Sequence, residues 1–309
     1  MPPEIRPRRA ITTAMADAPL RATPKARAAR AKNPAPPLLE VGGRPPLGVY
    51  LHRLLDRRHF AWAQARAQTT TKNSSNLLGN LWLILNPIFD AMAFYFIFAI
   101  ILKTDRGMPN FFAFLVLGIF LFSFSVRSLN AGSGLMRSNR GLIRAFAFPR
   151  AALPLGAIIR ETLSTIPVLL TGLVLIILVP PHAYPNRLWL LLPAVLALQM
   201  LFNFGLMLIV ARLTDIIPDI GGLVRVFSRF WMYGSGVLFS IERFVNSPTF
   251  MTVMQFNPLY HVLEIARAIV IDATVPVASS WLILAAYAVG FSVFGFFYFW
   301  RGEVNYGRE

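Results

Sequence analysis

Six long apolar stretches divide this chain, near residues 81–102, 111–131, 156–179, 188–211, 224–241 and 279–300. That pattern leaves few folds open. A helix rising about 1.5 Å per residue needs about 20 apolar residues to cross a hydrocarbon core of about 30 Å. Each stretch is of that order, so the chain reads as an all-α polytopic membrane protein with six transmembrane helices. The segments between them are not alike. With the first crossing running inside to outside, the inner segments hold 25 of the 30 Lys and Arg residues and the outer segments hold 5. Cytoplasmic loops retain Lys and Arg. Both termini are therefore expected in the cytoplasm, and the protein in the cytoplasmic (inner) membrane.

Composition agrees. Hydrophobic residues make up 56% and charged residues 14%, whereas soluble domains carry about 25% charged residues. A net charge of +16 raises the question of nucleic acid. The charge lies where anionic inner-leaflet lipid attracts it, so membrane lipid is the expected partner and nucleic acid is not. Cysteine is absent and the four histidines are scattered. No thiolate chemistry is possible, and no metal-ligand spacing appears.

The chain divides into four parts. Residues 1–46 lack the apolar region of a signal peptide and are rich in Ala, Pro and Arg. They are expected to be a disordered basic cytoplasmic tail that brushes lipid, with a docking role as the alternative. Residues 47–80 hold an amphipathic helix and a linker. Leu47, Leu51, Leu54, Leu55 and Trp62 fall on one helical face, and His52, Arg53, Asp56 and Arg57 on the other. This reads as an N-terminal interface helix lying in the plane of the membrane surface. Residues 81–300 form the six-span domain, and 301–309 a cytoplasmic C-terminal tail.

Three places in the six-span domain stand out. Asp90, inside the first span after Asn86-Pro87, is an intramembrane carboxylate; it is either functional or a local polar contact near the helix end. The segment Arg137–Pro154, between spans two and three, is short, basic and punctuated by Pro149 and Pro154. Its Leu142, Phe146 and Phe148 would be exposed unless they pack on something, so it is either a short helix pressed on a partner protein or a stiff loop on the inner leaflet. Residues 242–277 lie outside yet contain the apolar run Pro258–Ile271, too short to span and carrying Glu264 and Arg267. The expectation is an outer re-entrant helical hairpin between spans five and six.

Much chemistry is missing. There is no phosphate-binding Gly-rich loop ending in Lys-Ser/Thr, no dinucleotide fingerprint, no nucleophile elbow and no grouped acidic residues. No catalytic residue is expected. A six-span protein with no energy source but with a docking-like inner segment indicates a permease driven by a separate ATPase.

Four stretches carry a family resemblance. They are Lys72-Asn-Ser-Ser75 with Leu78-Gly79, Trp82 and Pro87; Asn139 with Gly141-Leu142-Ile143, Phe148-Pro149-Arg150 and Leu153-Pro154; Arg212 with Asp215-Ile216; and Asn257-Pro258 with Arg267. Together they resemble the membrane subunit of polysaccharide-exporting ABC transporters of the Wzm type, which includes O-antigen and teichoic-acid exporters. Phe239-Ser240-Ile241 departs from the Ser-Pro element of many members, and Arg212 and Asp215 are adjacent in most.

The resemblance implies a homodimer bound to two copies of an ATPase subunit, which would hold the ATP and Mg; this chain would hold no cofactor. It implies a channel for a polyprenyl-diphosphate-linked glycan. Asn139, Gly141, Arg144, Phe146, Phe148, Pro149, Arg150, Arg212 and Asp215 would couple to the ATPase. The Ala/Arg/Pro-rich style resembles actinobacterial permeases, which would make the cargo a cell-wall galactan instead of an O-antigen-like glycan. Sugars stack on aromatic faces, so Phe94, Tyr95 and Phe98 on span one, with Phe227, Phe230, Trp231 and Tyr233 on span five, are candidates for the substrate path, with Asp90 and Arg267. The rival readings are an ABC permease for drugs or small lipids and, from another class, a membrane sugar-phosphate transferase.

Overall fold

A computed structural model of the chain describes residues 46–57, 62, 81–101, 110–146, 148–239 and 248–306, and all the regular structure among them is helical. Helix α1 is Leu47–Asp56 and α2 is Trp82–Tyr95, which runs on as a π-helical turn, Phe96–Ile101. Helix α3 is Phe111–Gly132, followed by the short α4 (Leu135–Ser138) and α5 (Arg140–Ala145). Helix α6 is Ala152–Leu178. A 3-10 turn, Arg187–Leu191, leads into α7 (Leu192–Ile216). Then come α8 (Ile220–Tyr233), α9 (Pro248–Gln255), α10 (Pro258–Val270) and α11 (Ala278–Arg301). The expected tail lies outside the described residues except for Pro46, as does almost all of the linker before α2.

Four of these helices are long and apolar enough to cross a membrane: α3, α6, α7 with its 3-10 turn, and α11. They coincide with the second, third, fourth and sixth apolar stretches. The first and fifth stretches fold differently from one unbroken α-helix. The first has 14 α-helical residues and then six π-helical ones. The fifth was expected as a helix over 224–241, but α8 stops at Tyr233. The reason is local. Gly234-Ser235-Gly236 follows, and Gly236 takes a φ of 65°, which a glycine adopts without strain. Fourteen residues reach only about 21 Å. Arg225 and Arg229 are exposed on α8, while Gly221, Val224 and Ser228 form its buried stripe.

Helix α3 is the centre of the fold. It packs on α2, α6, α7, α8 and α10. Of its most apolar stretch 78% is buried within the protein, against 22% for α11, so α3 is a core helix and α11 a peripheral one. Asn110 starts α3 by accepting the Ala113 N–H at 3.1 Å and ties it to the Pro181 carbonyl at 2.7 Å. Helices α7 and α11 make the most intimate crossing. A Cβ on Gly205 would collide with the backbone of Phe291 and Ser292, and one on Gly295 with that of Gly205. Small residues permit this approach, and close backbone packing is what holds apolar helices together in lipid.

A second, smaller core forms at the end of the bundle where α3 and α7 finish and α6 starts. Tyr50, Met136, Ile143, Ala151, Leu153, Leu208, Ala211, Phe299 and Tyr306 are buried together there. Because Arg137, Arg144, Arg150, Arg212 and Arg301 surround it, we call this the basic end.

Candidate functional site

The segment 134–150 is built as a platform on the basic end. Gly134, in the left-handed region with a φ of 72°, turns the chain out of α3. Its N–H donates to Thr214 Oγ1 at 3.0 Å, and Arg137 donates to the Asp215 carbonyl at 3.1 Å. The platform is thereby fixed to the last turn of α7. Asn139 bonds back to the Leu135 carbonyl at 2.8 Å and closes the joint between α4 and α5.

The expected coupling residues divide into two sets. Ile143 is buried in the smaller core, and Leu142 and Phe148 pack against it from one side. Pro149 is buried as well. Gly141, Arg144 and Phe146 face the other way, and the Phe146 side chain is 63% exposed. Space beside Gly141 is open. Of the two aromatic residues named from sequence as anchors for a partner, Phe146 is on the surface and Phe148 packs on the protein itself.

Arg150 and Arg212 are committed internally. The Arg150 guanidinium donates to the carbonyl of Glu303 and lies 3.9 Å from the Glu303 carboxylate. Arg212 donates to the carbonyl of Tyr298 and sits 4.2 Å from that ring's centre. Its i, i+3 neighbour Asp215 lies on the same helix and lends its carbonyl to Arg137.

Sequence reasoning missed the residues that organise this end. Tyr50 is fully buried on α1, and Glu303, just past α11, is 5% exposed. The Tyr50 hydroxyl donates to Glu303 Oε2 at 2.9 Å and accepts the Ala151 N–H at 3.1 Å. Glu303 Oε1 accepts the Arg150 N–H at 2.9 Å. Burial pushes the Glu303 carboxyl above its ordinary range, against the pull of the Arg150 amide, the Tyr50 hydroxyl and the Arg150 charge. Burial also raises the Tyr50 hydroxyl, so it stays a neutral donor. A carboxylate right behind the last apolar stretch, in a chain of only 14 acidic residues, was the signal available.

At the opposite end, the expected substrate-path residues Trp231 and Arg267 hold the turn after α8. Asn257 caps α10 through the Leu259 N–H at 3.1 Å and accepts from Trp231 Nε1 at 3.1 Å. It also donates to the Gly234 carbonyl at 2.7 Å and to Ser235 Oγ at 2.9 Å. Arg267 donates to the carbonyls of Gly236, Phe114 and Val237 at 2.9, 3.3 and 3.2 Å, and its guanidinium covers the Phe114 ring at 3.3 Å. These two side chains are joints between α3, α8 and α10. Phe230 is 71% exposed on α8. On α2, Asp90 is exposed while Phe94 and Tyr95 pack on the main core, Tyr95 edge-on to Phe112 at 5.4 Å. The side chain of Phe98 lies outside the described residues.

One polar cluster inside the spans was not foreseen. Glu161 on α6 is paired with Arg127 of α3 at 3.6 Å and with its neighbour Arg160 at 2.9 Å, and Arg127 also donates to Thr165 at 2.9 Å. Among the described residues no three His, Asp or Glu side chains gather as a metal set.

The chain is similar to known proteins. Residues 61–271 match the model of the ABC-2 type transporter membrane family. Two O-antigen export system permease proteins, RfbA, of Klebsiella pneumoniae are similar. One is 26% identical over 203 residues, covering 65% of this chain and 75% of the relative; the other is 28% identical over 189 residues, covering 60% and 70%. RfbA of Myxococcus xanthus is 23% identical over 214 residues, covering 69% of this chain and 81% of its own length. The matched region starts a few residues after α1, runs through α10 and takes in the whole 134–150 platform, so this multi-pass membrane chain belongs to the ABC-2 type transporter family.

Proposed function

We propose that this chain is the permease subunit of an ATP-driven exporter that moves a polyprenyl-diphosphate-linked polysaccharide across the cytoplasmic membrane. The cargo is an O-antigen-like glycan or a cell-wall galactan. The observation that carries the reading is the platform itself, a stiff basic surface presenting Phe146 and Arg144 outward, in a chain whose relatives are named as O-antigen export permeases. A permease without its own nucleotide site needs such a surface to receive work from a partner.

On this reading the basic end is cytoplasmic, both termini lie there, and two ATPase subunits that hold ATP and Mg dock on Gly141, Arg144 and Phe146. Six crossings are completed by α2 with its π turn and by α8 together with the turn that follows it. Helices α9 and α10 form a re-entrant pair from the outer side, and α1 lies at the inner interface. Two copies of the chain enclose the path. The exposed Leu223, Phe227 and Phe230 on α8 offer the apolar face for that pairing. The test is depletion of the protein in cells, followed by extraction of lipid-linked sugars. Accumulation of one polyprenyl-diphosphate glycan inside, with its loss from the surface, is expected. Unchanged lipid-linked sugars with altered drug or lipid efflux would overturn the assignment.

A further inference from the structure

We infer that Glu303 and Tyr50 are positioning residues for transport: they latch the platform to the last span and to α1, so that a stroke on the platform moves α11 and α1 with α6. The inference rests on the reading of the platform as the ATPase-facing surface. By covalent connection the platform joins only α3, through Ser133, and α6, through Ala151 and Ala152. Hydrogen bonds from Gly134 and Arg137 tie it to α7. Beyond the apolar packing of the smaller core, its hydrogen-bonded link to α11 and α1 runs through Glu303 and Tyr50.

The geometry of that link is specific. Two consecutive residues of the platform's exit, Arg150 and Ala151, present their backbone N–H groups to Glu303 Oε1 and to the Tyr50 hydroxyl, at 2.9 and 3.1 Å. The Tyr50 hydroxyl then closes onto Glu303 Oε2 at 2.9 Å. The anchor thus includes the loop backbone itself, with the Arg150 guanidinium on the Glu303 carbonyl beside it. The C-terminal turn is held in its own place by Tyr306, which donates to the Phe299 carbonyl at 2.9 Å and stacks on Phe299 at 4.7 Å.

A purely apolar contact here would bury similar surface and fix no register. A buried carboxylate is costly unless its donors are all in position. Glu303 takes its donors from two other parts of the chain, 153 and 253 residues away. The three elements are therefore held in one arrangement or not at all, which is the property a lever needs.

The test uses the full complex with its ATPase subunits in proteoliposomes, comparing Tyr50→Phe and Glu303→Gln with the parent. Tyr50→Phe removes one hydroxyl and keeps the buried ring. Loss of a buried bond to a charged group shifts a two-state balance by about tenfold. The ATP hydrolysed per glycan exported is therefore expected to rise severalfold, at parental protein level and ATPase co-purification. Glu303→Gln keeps an acceptor for the Arg150 N–H and should raise the ratio less than Glu303→Ala, which removes it. A parental ratio in the assembled variants, or a loss confined to protein level or assembly, would each overturn the latch. Phe146→Ala separates this from the underlying reading. If Phe146→Ala uncouples the complex and Tyr50→Phe does not, only the latch is wrong. If Phe146→Ala also leaves ATPase binding and export at the parental values, the platform is not the coupling surface.

Discussion

At the scale of single residues, the arginines show how one residue type serves different ends. Arg144 faces outward on α5, Arg150 holds the Glu303 carbonyl, and Arg267 meets two carbonyls left by the turn after α8 and the Phe114 carbonyl of α3. Each carbonyl left unpaired costs about 1–3 kcal/mol. Arg267→Leu should therefore lower the thermal unfolding temperature of the detergent-purified protein, while Arg267→Lys should recover part of the loss. An unchanged unfolding temperature with impaired export would instead place Arg267 on the cargo path. The two aromatic residues of the platform should separate in the same way. Phe146→Ala removes an exposed ring and should leave stability within about 0.5 kcal/mol, yet lower ATPase co-purification. Phe148→Ala removes a half-buried ring from the smaller core and should destabilise by about 2 kcal/mol. Equal stability of the two variants in thermal unfolding would show that the packing is not as described.

At the scale of elements, hydropathy located the helices well where the chain needs to be apolar on all sides, and poorly where it does not. The apolar stretches behind α3, α6, α7 and α11 are long, and no glycine-rich turn interrupts them. The stretch 224–241 has the same mean character, but Arg225 and Arg229 share one exposed side of α8 and Gly234-Ser235-Gly236 ends it. A window average blurs both features. The platform was legible in the segment 137–154 from its prolines, charges and stranded aromatic residues. Which aromatic residue faced outward was not, because that depends on how α5 rolls onto Tyr306 and Phe299, more than 150 residues further on. Tyr50 lay among the predicted amphipathic residues yet was not on the predicted stripe of Leu47, Leu51 and Leu54; its partner is a distant carboxylate, and no local periodicity records that. The glycines of the α7–α11 crossing make a sharper claim. Overpacking costs about 1–3 kcal/mol, so Gly205→Ala should force the two helices apart and destabilise the protein by at least that much. Gly290→Ala, where nothing lies within 4 Å of the new Cβ, should be neutral. Parental thermal stability of Gly205→Ala would contradict the crossing.

At the scale of the whole molecule, a core helix, α3, is surrounded by spans whose ends are gathered on one basic platform. The orientation can be read without a cargo. Single cysteines at Tyr184 and Val275, both exposed and at the end opposite the platform, should react with an impermeant maleimide added to whole cells. A cysteine at Phe146 or Ser138 should react only after the membrane is opened. Outside labelling at Phe146 would invert the molecule and leave no cytoplasmic surface for an ATPase.

The most direct measurement is export by the purified complex. The chain and its ATPase subunits are placed in liposomes with a polyprenyl-diphosphate glycan in the ATP-facing leaflet, and the glycan on the far side is followed by an enzyme or lectin enclosed there. Glycan should appear there only with ATP and with both subunits present, and its appearance should fall sharply with Phe146→Ala at normal membrane insertion. Glycan crossing at the same rate without ATP or without the ATPase, or no crossing by a complex that hydrolyses ATP normally, would contradict this expectation.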